Sequence, residues 1–248
     1  MKRSRLLLAA VTACSLLWAR SAAADTFLLD NFSSSAVPSE SWIRNQNGPF
    51  ANVARYDSGA LEAPGGWRSV VATNLSAGRT TVAVDAGDLT IGNLNNALGP
   101  VTLEYGVSGA DRVNGPRTLL DLDYSLTGPR GDGYGFGIDW YVSEYQDPLT
   151  ITICSGLNLA TGLYDATAVW NGLTPDNGSG TTAVDFARFT NCAAVDWGNV
   201  DYIGISMLPR ENADYSISSV YGHAPEPSSL VLLGLAVLTV GLRGRRRV

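Results

Sequence analysis

Carboxylates are the reactive groups that this sequence supplies in number. Asp and Glu total 23, against 17 Lys and Arg and a single histidine, for a formal net charge of −6. The lone histidine, His223, removes most zinc sites and every Ser-His-Asp or Cys-His mechanism assembled inside the chain. Asp121 and Asp123 alternate onto one side of a strand-like stretch, where they could meet Glu104 or Asp111 from a neighbour. A facing carboxylate pair is what glycoside hydrolysis requires, one acid to protonate the leaving oxygen and one base or nucleophile. The simpler account is that these acids are solvated residues on the outer side of half-buried strands, and the chain reads as non-catalytic.

Turn acids such as Asp132 and Asp176 offer oxygen ligands, so a structural calcium is the one inorganic group that the composition admits. Ca²⁺ needs six to eight oxygens in register. No Asp-x-Asp-x-Asp-Gly run is present, and Asp121 with Asp123 alone supplies too few, so no metal ligand is assigned. No organic cofactor is expected either: the alternate glycines from Gly131 to Gly137 lie inside a β pattern and open no helix. Aromatic rings could instead stack on sugars, with a nearby acid bonding hydroxyls. Trp42, Trp67, Tyr141, Tyr145, Trp170 and Trp197 are the candidates, while Phe136 and Trp140 read as core. Tyr141, with Asp139 beside it on the mixed side of its strand, is the best placed.

Strands must position these groups. Alternation of apolar and polar residues dominates and no apolar run keeps a helical period. Leu120, Leu122, Tyr124 and Leu126 alternate through 117–126, with Leu119 interrupting the polar side. Phe136, Ile138, Trp140 and Val142 alternate through 134–143, and further strands are expected at 80–84, 101–105, 149–154, 182–189, 202–207 and 215–220. Turn clusters at 63–66, 128–133 and 175–180 separate them. Many short strands with Gly-rich turns predict one all-β domain, a β-sandwich or jelly roll, over residues 25–221. Between Asp25 and His223 there are 22 acids and 9 arginines, a net of −13 that would repel phosphate backbones and excludes nucleic acid as a partner.

Both ends are addresses. Lys2, Arg3 and Arg5 precede an apolar run from Leu6 to Trp18, and small residues at Ala22 and Ala24 precede Asp25. That order is a secretory leader over residues 1–24, cut by signal peptidase between Ala24 and Asp25. A second reading takes 11–14 as a lipoprotein box with Cys14 acylated, although the apolar run continues to Trp18. At the other end Pro225, Glu226 and Pro227 precede an apolar segment, 228–242, and then Arg243, Arg245, Arg246 and Arg247. Fifteen residues make about 22 Å of helix, short of the ~20 residues that a permanent span needs. The arginines would hold the segment's end in the cytoplasm. A plain C-terminal anchor is the alternative reading.

The three parts in this order, over 222–248, closely resemble the PEP-CTERM sorting tail of Gram-negative bacteria. The resemblance implies a substrate of exosortase, a membrane-embedded cysteine transpeptidase, held in the membrane by 228–242 until it is cut near the Pro-Glu-Pro motif. It further implies release to the cell surface or extracellular matrix, beside exopolysaccharide or in biofilm. The prolines flanking Glu226 forbid helix and present extended backbone to such an enzyme. The stretches at 27–32, 195–206 and 214–220 resemble galactose-binding-like jelly rolls, including carbohydrate-binding modules, which makes an extracellular polysaccharide the expected partner. Ser218 stands where such folds tend to carry a second acid. If Cys14 leaves with the leader, Cys154 and Cys192 remain. An oxidising periplasm would pair them, closing a loop of about 38 residues for roughly 3–4 kcal/mol. Two buried free thiols are the alternative.

Overall fold

The computed structural model describes residues 26–33, 41–44, 52–59, 63–85, 87–94, 96–109, 117–127 and 134–223. The leader, the cleavage residues Ala22, Ala24 and Asp25, Asp111, the turn at 128–133 and the whole tail from 224 onward lie outside the described residues. Among the described residues no helix is long and apolar enough to cross a membrane.

The described residues form fifteen strands: β1 (Thr26–Asp30), β2 (Ser41–Arg44), β3 (Asn52–Gly59), β4 (Trp67–Asn74), β5 (Arg79–Asp85), β6 (Asp88–Leu94), β7 (Val101–Tyr105), β8 (Val107–Gly109), β9 (Arg117–Leu119), β10 (Gly135–Ser143), β11 (Pro148–Asn158), β12 (Leu163–Leu173), β13 (Gly180–Asp185), β14 (Val200–Met207) and β15 (Ala213–His223). One sheet runs β13-β10-β15-β6-β5-β2, with β1 also on β15, a second runs β12-β11-β14-β7-β4-β3, and β8 with β9 makes a small two-stranded one, every pairing antiparallel. β15 is central to the first sheet. Its early residues pair with β6 and its last four with β1, while β10 flanks it throughout.

Alternation builds the core. Phe136, Ile138 and Trp140 of β10 point inward with Val220 and Ile217 of β15, and meet Ile151 and Ile153 of β11, Ile203 and Ile205 of β14 and Leu103 of β7 in one buried cluster. Each such side chain contributes about 1.5–3 kcal/mol by leaving water. The two inner faces therefore form a single β-sandwich of jelly-roll type, as the alternation predicts.

A polar pin crosses that core. Asp30 ends β1 fully buried, and its Oδ2 and Oδ1 accept from Arg68 Nε at 2.7 Å and a terminal Arg68 nitrogen at 2.5 Å. Tyr105 donates to Oδ2 at 2.7 Å, the Phe32 N–H donates to Oδ1 at 2.9 Å, and the guanidinium lies 4.7 Å from the Phe32 ring centre. Burial, then the adjacent Asp30 charge, pushes the Tyr105 phenol well above its ordinary value. Asp147 accepts from the Arg210 N–H and Nε, both at 2.7 Å, and from the Tyr215 hydroxyl, tying the β10–β11 and β14–β15 connections to β15.

Three expectations are corrected here. The stretch 117–126 is not one strand: β9 stops at Leu119, and beyond it only Tyr124 bridges to Val200. Asp123 adopts φ +44°, which breaks the extended path, although Leu122 and Leu126 still reach the core. The stretch 182–189 ends as a strand at Asp185 and turns into a single 3₁₀ turn, Phe186–Arg188, whose Phe186 is buried. Cys154 and Cys192 are not bonded; both are free thiols. Cys154 sits in register with Thr167 and Tyr202, accepting a contact from the Thr167 hydroxyl at 3.4 Å, while Cys192 lies in a turn closed by the Trp197 indole N–H on its carbonyl.

Candidate functional site

The outer side of the first sheet gathers the sugar-type chemistry. With Phe136, Ile138 and Trp140 turned inward, Asp139 and Tyr141 must face out. Register places Asp139 opposite Thr181 of β13 on one side and Ser219 of β15 on the other. The Thr181 hydroxyl donates to Asp139 Oδ1 at 2.7 Å, Ser219 to Oδ2 at 2.9 Å and Tyr221 to Oδ1 at 3.3 Å. Burial, then the Asp139 charge, raises the Tyr221 phenol, so it stays a donor. Shifts in pairing between Asp139 and Val142 mark a bulge, the device that re-aims side chains at sheet surfaces. Tyr141 stands there 66 % exposed.

Small residues lay the other rings flat. A Cβ on Gly137 would fall 2.4 Å from Tyr221 ring carbons, and one on Gly135 2.1 Å from His223 Nε2. Only glycine lets these two rings lie against the strand. His223 meets Tyr134 edge-on with ring centres 4.8 Å apart, and burial holds its imidazole below the ordinary value against the opposing pull of Asp185. From Tyr221 over Gly137 to Tyr141 is four residues, about 13 Å of strand. Between two rings so spaced lies a carboxylate ringed by three hydroxyls. This surface can stack on and hydrogen-bond a polyhydroxylated chain. Asp139 already accepts three hydroxyl bonds, whereas glycoside hydrolysis asks for two carboxyl groups that face one another.

The other candidates divide. Trp140 and Phe136 are core, as expected. Trp197 is not a surface platform: it stacks on Phe186 at 4.1 Å and packs with Phe189. Trp170 packs half-buried against the core, Trp67 is exposed, and Tyr145 carries the Arg210 guanidinium 4.7 Å over its ring. The Trp42 side chain lies outside the described residues. Glu104 does not join Asp121 or Asp123 as a catalytic pair; it is buried in β7 and accepts from the Tyr202 hydroxyl at 2.9 Å. Asp121 and Asp123 instead converge on Asp201, one carboxylate oxygen of each lying within 4.8 Å of the others. Asp201 contact at hydrogen-bond range, then repulsion from Asp123, raises the Asp121 carboxyl above its usual range. Asp201 escaped the motif reading, yet it carries a signal: an acid in phase with Ile203, Ile205 and Met207 on the apolar side of a strand.

No curated protein matches the chain in sequence. Among solved structures the chain is similar to the family 11 carbohydrate-binding module of a cellulosomal cellulase of Clostridium thermocellum, at 12 % identity and TM-score 0.41, covering 82 % of this chain and 96 % of that one. The same module in complex with a β-1,3-1,4-mixed-linked tetrasaccharide aligns at 13 % identity and TM-score 0.41, over 81 % and 96 %. A family 29 carbohydrate-binding module complexed with mannohexaose aligns at 11 % identity and TM-score 0.34, over 81 % and 92 %. At the other end of the chain, the last strand leads directly into the segment rich in proline, apolar residues and arginine: residues 223–247 match the PEP-CTERM protein-sorting motif, and the chain carries that sorting signal.

Proposed function

We propose that this is an exported bacterial protein, cut by exosortase near Pro225, Glu226 and Pro227 and delivered to the cell surface or extracellular matrix. Its sandwich is the cargo and catalyses nothing. The observation that carries this reading is the sorting motif beginning at 223, the last residue of β15, so that in sequence the address follows at once on the folded domain. The membrane segment 228–242 would hold the chain until cleavage, with Arg243, Arg245, Arg246 and Arg247 on the cytoplasmic side, and signal peptidase would remove residues 1–24. The test is intact mass of the chain from cells with and without an exosortase. Loss of the arginine cluster and apolar segment only when the enzyme is present, abolished by Pro225→Ala with Pro227→Ala, is expected. An uncut tail in exosortase-positive cells overturns it.

The molecular role that fits the surface is non-catalytic association with extracellular polysaccharide. The specific support is the Asp139 carboxylate among Thr181, Ser219 and Tyr221, with Tyr141 exposed on the same side. Affinity electrophoresis in polysaccharide gels tests it: retardation lost in Tyr141→Ala and in Asp139→Ala supports the role, and unretarded migration across a broad panel of acidic and neutral polysaccharides removes it.

A further inference from the structure

Asp201 is carried into the sandwich by strand alternation, and a carboxylate so placed requires a donor, an opposite charge or a metal. It has half of what it needs. Oδ2 accepts the Leu157 N–H at 2.8 Å, whereas Oδ1, in a residue only 1 % exposed, meets no hydrogen-bond donor among the described residues. What the carboxylate does meet is two more carboxylates, Asp121 and Asp123. Three acids with no donor among them repel one another at this range.

The convergence is held by rigid neighbours rather than by a free loop. The Tyr124 N–H and carbonyl bond the carbonyl and N–H of Val200, at 2.9 and 2.8 Å, one residue before Asp201. The Leu120 N–H donates to the Gly106 carbonyl at 2.9 Å and the Leu126 N–H to the Trp197 carbonyl at 2.8 Å. Leu122, between the two acids, is buried. A Cβ on Gly106 would fall 2.0 Å from the Asp201 carbonyl oxygen, so the β7–β8 corner presses on the same residue.

We propose that Asp121, Asp123 and Asp201 bind one divalent cation, and that the cation is Ca²⁺. All three donors are hard carboxylate oxygens, with no thiolate or imidazole in the cluster, which selects against zinc and copper. Asp121 and Asp123 are exposed, leaving one side open to the waters that complete a coordination shell of six to eight. Carboxylates supplied by an irregular segment and a strand fit the flexible geometry of Ca²⁺ better than the strict octahedron of Mg²⁺. The bound ion would satisfy Asp201 Oδ1 and fasten 120–126, which has one bridge in place of a ladder, to β14. A proton shared between Asp121 and Asp201 is the competing way to relieve the repulsion.

The full chain, stripped with EDTA and dialysed, should bind CaCl₂ in calorimetric titration at one ion per chain. The expected Kd is about 0.1–1 mM, the range of extracellular calcium sites. MgCl₂ should bind at least tenfold more weakly, and Ca²⁺ should raise Tm. Asp121→Asn with Asp123→Asn, both at exposed positions, should weaken Ca²⁺ at least tenfold, as should Asp201→Asn, while Asp165→Asn elsewhere should not. If Asp201→Asn fails to fold, the exposed pair decides. Absence of saturable binding below about 10 mM CaCl₂, or binding unchanged in the exposed double variant, overturns the proposal and leaves the shared proton.

Discussion

Replacing Asp30 by asparagine should remove a carboxylate that accepts two hydrogen bonds from the Arg68 guanidinium inside the core. Both side chains are fully shielded, so water cannot take the place of the lost contacts. Breaking a buried pair by removing one partner costs about 3–5 kcal/mol. Arg68→Met should cost a similar amount, because among the described residues Asp30 then keeps only the Tyr105 hydroxyl and the Phe32 N–H. With a urea m-value of roughly 2 kcal/mol/M, a loss of about 4 kcal/mol lowers the unfolding midpoint by about 2 M. Tyr105→Phe removes one hydrogen bond to a charged group, about 1.5–3 kcal/mol, and should lower it by about 0.75–1.5 M. The diagnostic is the double variant Asp30→Leu with Arg68→Met. Buried pairs replaced by apolar residues of similar volume are often near neutral, so the double change should be at least about 1.5 kcal/mol less harmful than the sum of the singles. Urea unfolding followed by tryptophan fluorescence measures these four variants and Asp30→Leu alone, which closes the cycle. Single variants within about 1 kcal/mol of the parent, or a strictly additive double, would refute the pin.

The single histidine offers a clean pH reading. Burial lowers the folded His223 value below the unfolded one, so the unfolded chain binds more protons through this window; stability falls as pH drops through about 6.5 and levels below the folded value. His223→Gln should flatten that fall in urea midpoints between pH 7.5 and 5, and an imidazole resonance titrating above 6.5 would contradict the burial. Thiol titration should find Cys154 inert in the folded chain and both Cys154 and Cys192 reactive in urea, as burial raises the Cys154 thiol and no bond joins the two. Recovery of a Cys154–Cys192 peptide after non-reducing digestion would count against the structure. Tyr141→Ala, at an exposed site, should leave the free energy of urea unfolding within about 0.5 kcal/mol of the parent while abolishing any polysaccharide retardation.

The sorting tail was readable from residues alone because it is a linear code. Pro225, Glu226 and Pro227, the apolar run and the arginines act by order and composition, and need no partner from elsewhere in the chain. The sandwich was readable for a related reason: alternation at Phe136, Ile138 and Trp140 states which side of a strand is apolar, and several such strands can only stack. β12 escaped because it lies at a sheet edge with its residues mostly exposed or half-buried, so its alternation separates little. The stretch 117–126 misled because alternate burial survives without a ladder when single contacts, such as Tyr124 with Val200, hold the chain.

Alternation names a side but never a neighbour. Asp139 could be placed outward from its own strand, yet its bonds to Thr181 and Ser219 come from residues some 40 and 80 positions away, set by the register of two other strands. The same holds for Asp201 beside Asp121 and Asp123, for Arg68 against Asp30, and for the separation of two cysteines that compartment chemistry alone would have joined. Side-chain period and end signals are local and survive in the unfolded chain; the pairing of distant strands, and hence which charges share a cavity, exists only once both sheets have closed on one core.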